Sequence, residues 1–385
     1  MADSVDVPNA FSSPSNLFST TDDVAEIDSA GSNTFISPNH SPSVAKELIE
    51  TAQALLSPRG RGIYATDESP DVIEAAFVAA GHNSSSGDEM LKRRKDWRET
   101  VYSAVPSEYI SGVILYPETL LEFKLGPILT NKGVIVGVRA NGELAPIPAS
   151  PFEFLVQGLD DLLTKLQAAR AAGARFSKWR VPIACTSPAL GLPTQTSLDV
   201  QAETLAIYAS ISQQAGVVPI VEPDVEFSAD ADLARSIEVH QRAIRLIFDR
   251  CARHGVLLEG TLIKPSYPQP GLKSPSRAKT TSNDIALATA TVISNSVPSA
   301  VAGVVFLSGG LSTPVALDFL SALNKLVNAS PRSSPFSRLP PLSFSYGRAL
   351  QGEAIRHWVK GDREAMKESL LRAAKGCWLA AKGEL

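Results

Sequence analysis

Lys264 follows the apolar run LEGTLI and precedes a proline. An amine at the end of such a run is desolvated, which frees it to attack a carbonyl carbon. Lys178, in FSKW, offers a second cation to the same mouth. Glu222 and Asp224 stand two apart in VEPD and so share one side of an extended segment. A carboxylate beside such a lysine is the acid–base partner that carbinolamine dehydration needs. Asp67 ends another run and can take a hydroxyl proton as a carbon–carbon bond breaks. Ser308-Gly309-Gly310 and Gly347-Arg348 combine glycine-freed N–H groups with an arginine fork, the chemistry of a phosphate site. Each feature alone has a structural explanation: Lys264 can pair with Glu222 for stability, and S-G-G can be a tight turn. Together they describe one pocket.

These residues, with Arg139, fall at or just past the ends of regularly spaced runs. Eight short runs rich in apolar residues occupy 62–66, 112–116, 133–138, 174–179, 217–221, 258–263, 303–307 and 342–346. Several are almost wholly apolar, as strands buried on both faces require. Helical patterns lie between them, at 160–172, 198–215, 231–254, 283–296 and 313–327, and Gly173 and Gly255 suit helix ends. Eightfold strand–helix alternation predicts an α/β fold, a single-domain (β/α)8 TIM barrel with catalytic groups at the carboxyl ends of its strands. An open doubly wound sheet would want a Gly-rich turn after its first strand, and here that strand runs into Asp67-Glu68-Ser69. Residues 351–385 read as helix and 328–341, with four prolines, as an exposed loop.

With 385 residues, 44% of them hydrophobic, the chain can bury one large core. A net charge of -4 carries no basic surplus for nucleic acid, and no apolar run approaches membrane-span length. Three widely spaced cysteines argue against a disulfide framework and for a reducing compartment. Five scattered histidines include no ligand-spaced pair, so neither a metal site nor a cofactor is expected. Residues 1–43 hold no Lys or Arg and six acidic residues; they read as a disordered, acidic, phosphorylatable tail before a domain at 44–385. Acidity argues against a transit peptide, so cytoplasm is the expected compartment and a plastid the alternative.

Particular motifs carry a resemblance. ATDES (65–69), SGVILYPETL (111–120), QGLDDL (157–162), FSKWR (176–180), YASISQQAGVVPIVEP (208–223), LEGTLIKP (258–265), VVFLSGG (304–310) and FSYGRALQ (344–351) occur in the order and spacing of one family. From about Val44 to Leu385 the chain resembles class I, Schiff-base fructose-bisphosphate aldolase. The resemblance implies a metal-free lyase that reversibly cleaves fructose 1,6-bisphosphate to dihydroxyacetone phosphate and glyceraldehyde 3-phosphate in glycolysis and gluconeogenesis. It implies a homotetramer. It makes Lys264 the Schiff-base lysine, Asp67 the acceptor of the C4 hydroxyl proton, and Glu222 the proton carrier of iminium formation. Lys178 and Arg180 would orient substrate, and Ser308, Gly309, Gly310, Gly347 and Arg348 would hold the C1 phosphate.

The departures are informative too. Asp224 replaces a family glutamate and is one methylene shorter. Val72 and Ala76 stand where the family has a hydroxyl and an arginine, Arg139 where it has a lysine, and Asn141 where it has an aspartate, while Ser69 remains. These positions serve the C6 phosphate, so a weak preference for the bisphosphate over fructose 1-phosphate is expected. The chain ends at Gly383-Glu384-Leu385 without the family's terminal tyrosine, from which slow proton exchange at C3 of dihydroxyacetone phosphate is expected. Two other readings stay open: a Schiff-base lyase for another ketose phosphate, and a catalytically weak scaffold or binding protein.

Overall fold

The computed structural model describes residues 37–83, 87–148 and 150–385. Eight parallel strands close into a barrel in the order β1 (Gly62–Thr66), β10 (Leu342–Tyr346), β9 (Gly303–Phe306), β8 (Leu262–Ile263), β7 (Val218–Val225), β6 (Phe176–Ile183), β3 (Ile135–Arg139) and β2 (Ile110–Leu115). Each corresponds to one of the eight predicted runs. Between β3 and β6 a two-stranded antiparallel hairpin, β4 (Leu144–Ile147) and β5 (Ser150–Val156), stands outside the barrel.

The ring of helices comprises α1 (Pro42–Ala54), α2 (Pro70–Ala79), α3 (Gly87–Ala104), α4 (Gly126–Thr130), α5 (Leu162–Ala171), α6 (Gln195–Gln214), α7 (Leu233–Arg253), α8 (Ser282–Ser296), α9 (Thr313–Ala329), α10 (Arg348–Val359) and α11 (Arg363–Lys382). The predicted helices between strands appear within a few residues, with Gly173 and Gly255 at positive φ where α5 and α7 end. The predicted tail boundary moves: Pro42 and Ser43 already belong to α1, and residues 1–36 lie outside the described residues. The 328–341 loop contains a short 3-10 turn at Pro335–Arg338. No helix among the described residues is long and apolar enough to cross a membrane.

Strand alternation explains where the site forms. Inward positions are apolar at the bottom and charged at the top: Phe176, Lys178 and Arg180 on β6; Val218, Ile220, Glu222 and Asp224 on β7; Ile63, Ala65 and Asp67 on and after β1. Trp179, Val181 and Val221, at the alternate positions, join the core between barrel and helices. The lower barrel is sealed by Phe176 and by α1, whose Ala45, Leu48 and Ala52 pack with Leu55 against Ile63, Val218 and Leu262. Gly137 vacates the space that Phe176 fills; a Cβ there would lie 2.3 Å from the ring. Water therefore reaches the charged layer only from above.

Two strand predictions change. β6 and β7 run to Ile183 and Val225, so Lys178 and Glu222 sit within strands and not past their ends. Run 258–263 opens as a 3-10 turn, Leu258–Gly260, and leaves a two-residue strand. β8 ends at Ile263; the Lys264 N–H still bonds the Val221 carbonyl at 2.8 Å, and Pro265, which has no N–H, cannot extend the ladder.

Candidate active site

β6, β7 and β8 are adjacent, so Glu222 stands between the strands that carry Lys178 and Lys264. Lys264 Nζ lies 3.1 Å from Glu222 Oε1, and Lys178 Nζ lies 3.1 Å from Glu222 Oε2. Lys178 Nζ also lies 2.7 Å from Oδ2 of Asp67, which reaches in from β1. Asp67, Lys178, Glu222 and Lys264 thus form one chain of alternating charge. Lys178, Glu222 and Lys264 are 5%, 4% and 4% exposed, so these charges meet with little solvent to screen them.

Electrostatics keep Asp67, Lys178 and Glu222 ionised. Burial pushes the Asp67 carboxyl up, but Lys178, Lys264 and Arg139 outweigh it and hold it at about 2. Burial likewise raises Glu222, and the two lysines bring it below the ordinary carboxylate range. Burial lowers the Lys178 ammonium, yet Asp67 and Glu222 leave it above its ordinary value. The two lysines are therefore unequal: Lys178 has two carboxylate partners and Lys264 has one.

Arg180, two residues above Lys178, donates from Nε to Asp224 Oδ2 at 2.8 Å. Asp224 pairs with this guanidinium and with neither lysine, so the shorter side chain fixes Arg180 at the rim. Behind Lys264, Ser266 accepts the Val225 N–H at 3.0 Å and ties the end of β7 to the Lys264 loop. His240 of α7 is 1% exposed, with Nδ1 2.7 Å from the Ser236 carbonyl and Nε2 3.0 Å from Ser266 Oγ. A carbonyl only accepts, so Nδ1 carries the proton, and the one Ser266 hydroxyl proton faces two acceptors at 3.0 Å, His240 Nε2 and the Val225 carbonyl. Burial lowers this imidazole to about 4, and it is neutral.

A cleft of about 790 Å³ opens over this layer. Ser308, Gly309, Gly347 and Arg348 line one side, and Ser69, Val72, Ala76 and Arg139 the other. Gly309 and Gly310 take φ of 55° and 90°, a left-handed pair that turns the chain after β9. Gly310 also makes room for Arg348, whose guanidinium would lie 3.2 Å from a Cβ there. Arg348 has no ion-pair partner among the described residues. Arg139 is more committed: it donates to the carbonyls of Asn141 and Gly142 at 3.2 and 3.3 Å and stands 5.6 Å from the centre of the Tyr116 ring.

The fold gathers every predicted site residue at one mouth, although Gly310 backs Arg348 without lining the cleft. It also brings in groups not singled out from sequence. Glu68 lines the cleft while paired with Arg98 at 3.0 Å and hydrogen-bonded by Gln351. Gln351 and Arg356 enter from α10. The available signal was the helical repeat Arg348, Gly352, Arg356, which carries one face of α10 onward from the predicted phosphate turn. His240 had no signal at all, because its partner Ser266 is 26 residues away.

Comparison with known proteins agrees with this geometry. The family model for class I fructose-bisphosphate aldolase matches residues 47–385. The chain is 37% identical over 351 residues to fructose-bisphosphate aldolase of Dictyostelium discoideum, covering 88% of this chain and 93% of that one. It is 35% identical over 356 residues to fructose-bisphosphate aldolase B of Gallus gallus, covering 90% and 93%. Among solved structures it is similar to Plasmodium falciparum fructose-bisphosphate aldolase, crystallised with TRAP and a small-molecule inhibitor. That match has a TM-score of 0.81 and 35% identity, covering 89% of this chain and 96% of that one.

Proposed function

Since the chain belongs to the class I fructose-bisphosphate aldolase family, a lyase family of glycolysis that works through a Schiff base, we propose that Lys264 is the covalent lysine and Glu222 its proton carrier. The observation that carries this reading is the inequality of the two buried lysines. Lys264 has one carboxylate partner, Glu222 at 3.1 Å, to take its proton, whereas Lys178 is held by both Asp67 and Glu222. The freed amine attacks the ketone carbon of fructose 1,6-bisphosphate to form a carbinolamine. Glu222 then returns a proton to the departing hydroxyl, and water leaves to give the iminium. Asp67, ionised and 2.7 Å from Lys178, takes the C4 hydroxyl proton as the C3–C4 bond breaks. The electron pair of that bond passes to the iminium as an enamine, and glyceraldehyde 3-phosphate departs. Protonation at C3 and hydrolysis release dihydroxyacetone phosphate and restore Lys264.

Arg180, held by Asp224, orients the substrate at the rim. The N–H groups of Gly309 and Gly310 donate to no protein partner among the described residues and, with Ser308, Gly347 and Arg348, suit the C1 phosphate. Ser69 and Arg139 face the C6 end. Borohydride trapping with dihydroxyacetone phosphate, followed by peptide mass spectrometry, tests the assignment. An adduct on Lys264 that disappears in Lys264→Arg is the expected result. An adduct on Lys178, or on no lysine, would sink it.

A homotetramer in the cytoplasm is part of the same proposal. Phe152, 74% exposed, and Leu190, 63% exposed, are apolar groups that subunit contacts would cover. Three buried free cysteines suit a reducing compartment. Light scattering should return four times the 40.9 kDa chain mass, and a fluorescent fusion should stay diffuse in the cytosol.

A further inference from the structure

A hexose bisphosphate carries an anionic group at each end, and the cleft must meet both. Six cations line it: Arg139, Lys178, Arg180, Lys264, Arg348 and Arg356. Lys178 and Lys264 are occupied by the buried carboxylates. Arg180 is taken by Asp224, and Arg139 spends two donors on backbone carbonyls. Two cations keep their whole hydrogen-bonding capacity among the described residues, Arg348 and Arg356. Both are exposed, and both stand on α10. Eight residues apart, they are separated by about 12 Å along the helix, enough to hold two phosphates apart. Beside α10, packed against it through Phe77 and Trp358 with ring centroids 5.1 Å apart, α2 offers the same cleft Val72 and Ala76, which have no charge and no hydrogen-bonding side chain. A phosphate at that end has its free cation on α10 and not on α2.

We propose that Arg356 is a specificity-determining residue that binds the second phosphate of the bisphosphate, with Arg348 holding the first; this rests on the covalent reading of Lys264. An exposed guanidinium with free donors can engage a phosphate in bidentate fashion without first breaking an internal ion pair. It contributes binding that a monophosphate cannot use, so it sets the preference between the two substrates.

The test is kcat/KM on fructose 1,6-bisphosphate and on fructose 1-phosphate for wild type, Arg356→Ala and Arg356→Lys. The alanine variant should lose roughly tenfold on the bisphosphate, mainly through KM, and stay within about twofold on the monophosphate. The lysine variant should recover part of the loss, since it restores charge without the fork. Equal loss on both substrates, or no loss on the bisphosphate, overturns the proposal. Borohydride trapping on the same samples separates the two readings. An intact Lys264 adduct with an unchanged substrate ratio overturns the role of Arg356 alone. No adduct in wild type overturns the covalent reading and this one with it.

Discussion

The two ends of the cleft are built on opposite principles. At the end proposed to be covalent, Lys178, Glu222 and Lys264 are buried and Asp67 nearly so, each within 3.1 Å of an acidic or basic partner. At the far end α2 presents an apolar wall, with Val72 56% exposed, and the arginines around it stand in solvent or against backbone carbonyls. The first end is preorganised, so its charges need not reorganise when the reaction begins. The second is open and weakly committed, which suits binding and discrimination. Chemistry should be sensitive to any change at the first end, and substrate preference to changes at the second.

The largest expected effect lies at the covalent end. Glu222→Gln keeps the shape but removes the proposed proton carrier and leaves Lys178 and Lys264 with no carboxylate between them. Its kcat should fall roughly a hundred- to ten-thousand-fold with little change in KM. Steady-state cleavage assays would show this, and a loss confined to KM would erase the contrast between the ends.

A smaller effect, opposite in sign, is expected at the far end. Ala76→Arg places a cation on the apolar wall, and kcat/KM on the bisphosphate should rise about three- to tenfold. Fructose 1-phosphate turnover should not change. If both rates rise together, the wall is not specific to the second phosphate.

The smallest effect concerns the support behind Lys264. His240 is neutral in the fold at about 4, while an unfolded histidine takes up a proton near 6.5. The unfolded chain therefore binds the extra proton first, and stability falls as pH drops from 6.5 to about 4. The loss attributable to this residue is on the order of 3 kcal/mol. Urea melts of wild type and His240→Gln at pH 7 and 4.5 should show wild type losing more on acidification. Equal losses would mean that His240 is not held neutral. Asp67 adds a second acid-side loss, since its depressed carboxyl stabilises the fold above 3.8 and ceases to as pH falls toward 2.

Much of the covalent end could be read from the chain alone. Each of its residues sits at an inward position just above an apolar segment, so alternation and strand ends locate them one at a time: Asp67 after GIYAT, Lys264 after LEGTLI. The α2 wall was legible as well, because Val72 and Ala76 are visible departures from a motif. The extent of β6 and β7 was not, since Pro182 and Pro223 lie inside them and prolines read as strand ends.

Local pattern determined the strand count, the closed barrel and the residue types at its mouth, because side-chain period and apolar runs are properties of neighbours in sequence. Pairing was decided only in three dimensions. Whether Lys264 faces Glu222, whether Asp224 serves a lysine or Arg180, and whether His240 meets Ser266 depend on strand adjacency and register over tens of residues. So does the freedom of Arg356, which follows from α10 lying beside the uncharged face of α2 at the cleft. A charge's partner is set by distances that closing the barrel creates, and Coulomb energy at a few ångströms in a buried layer then decides which carboxylate and which lysine act together.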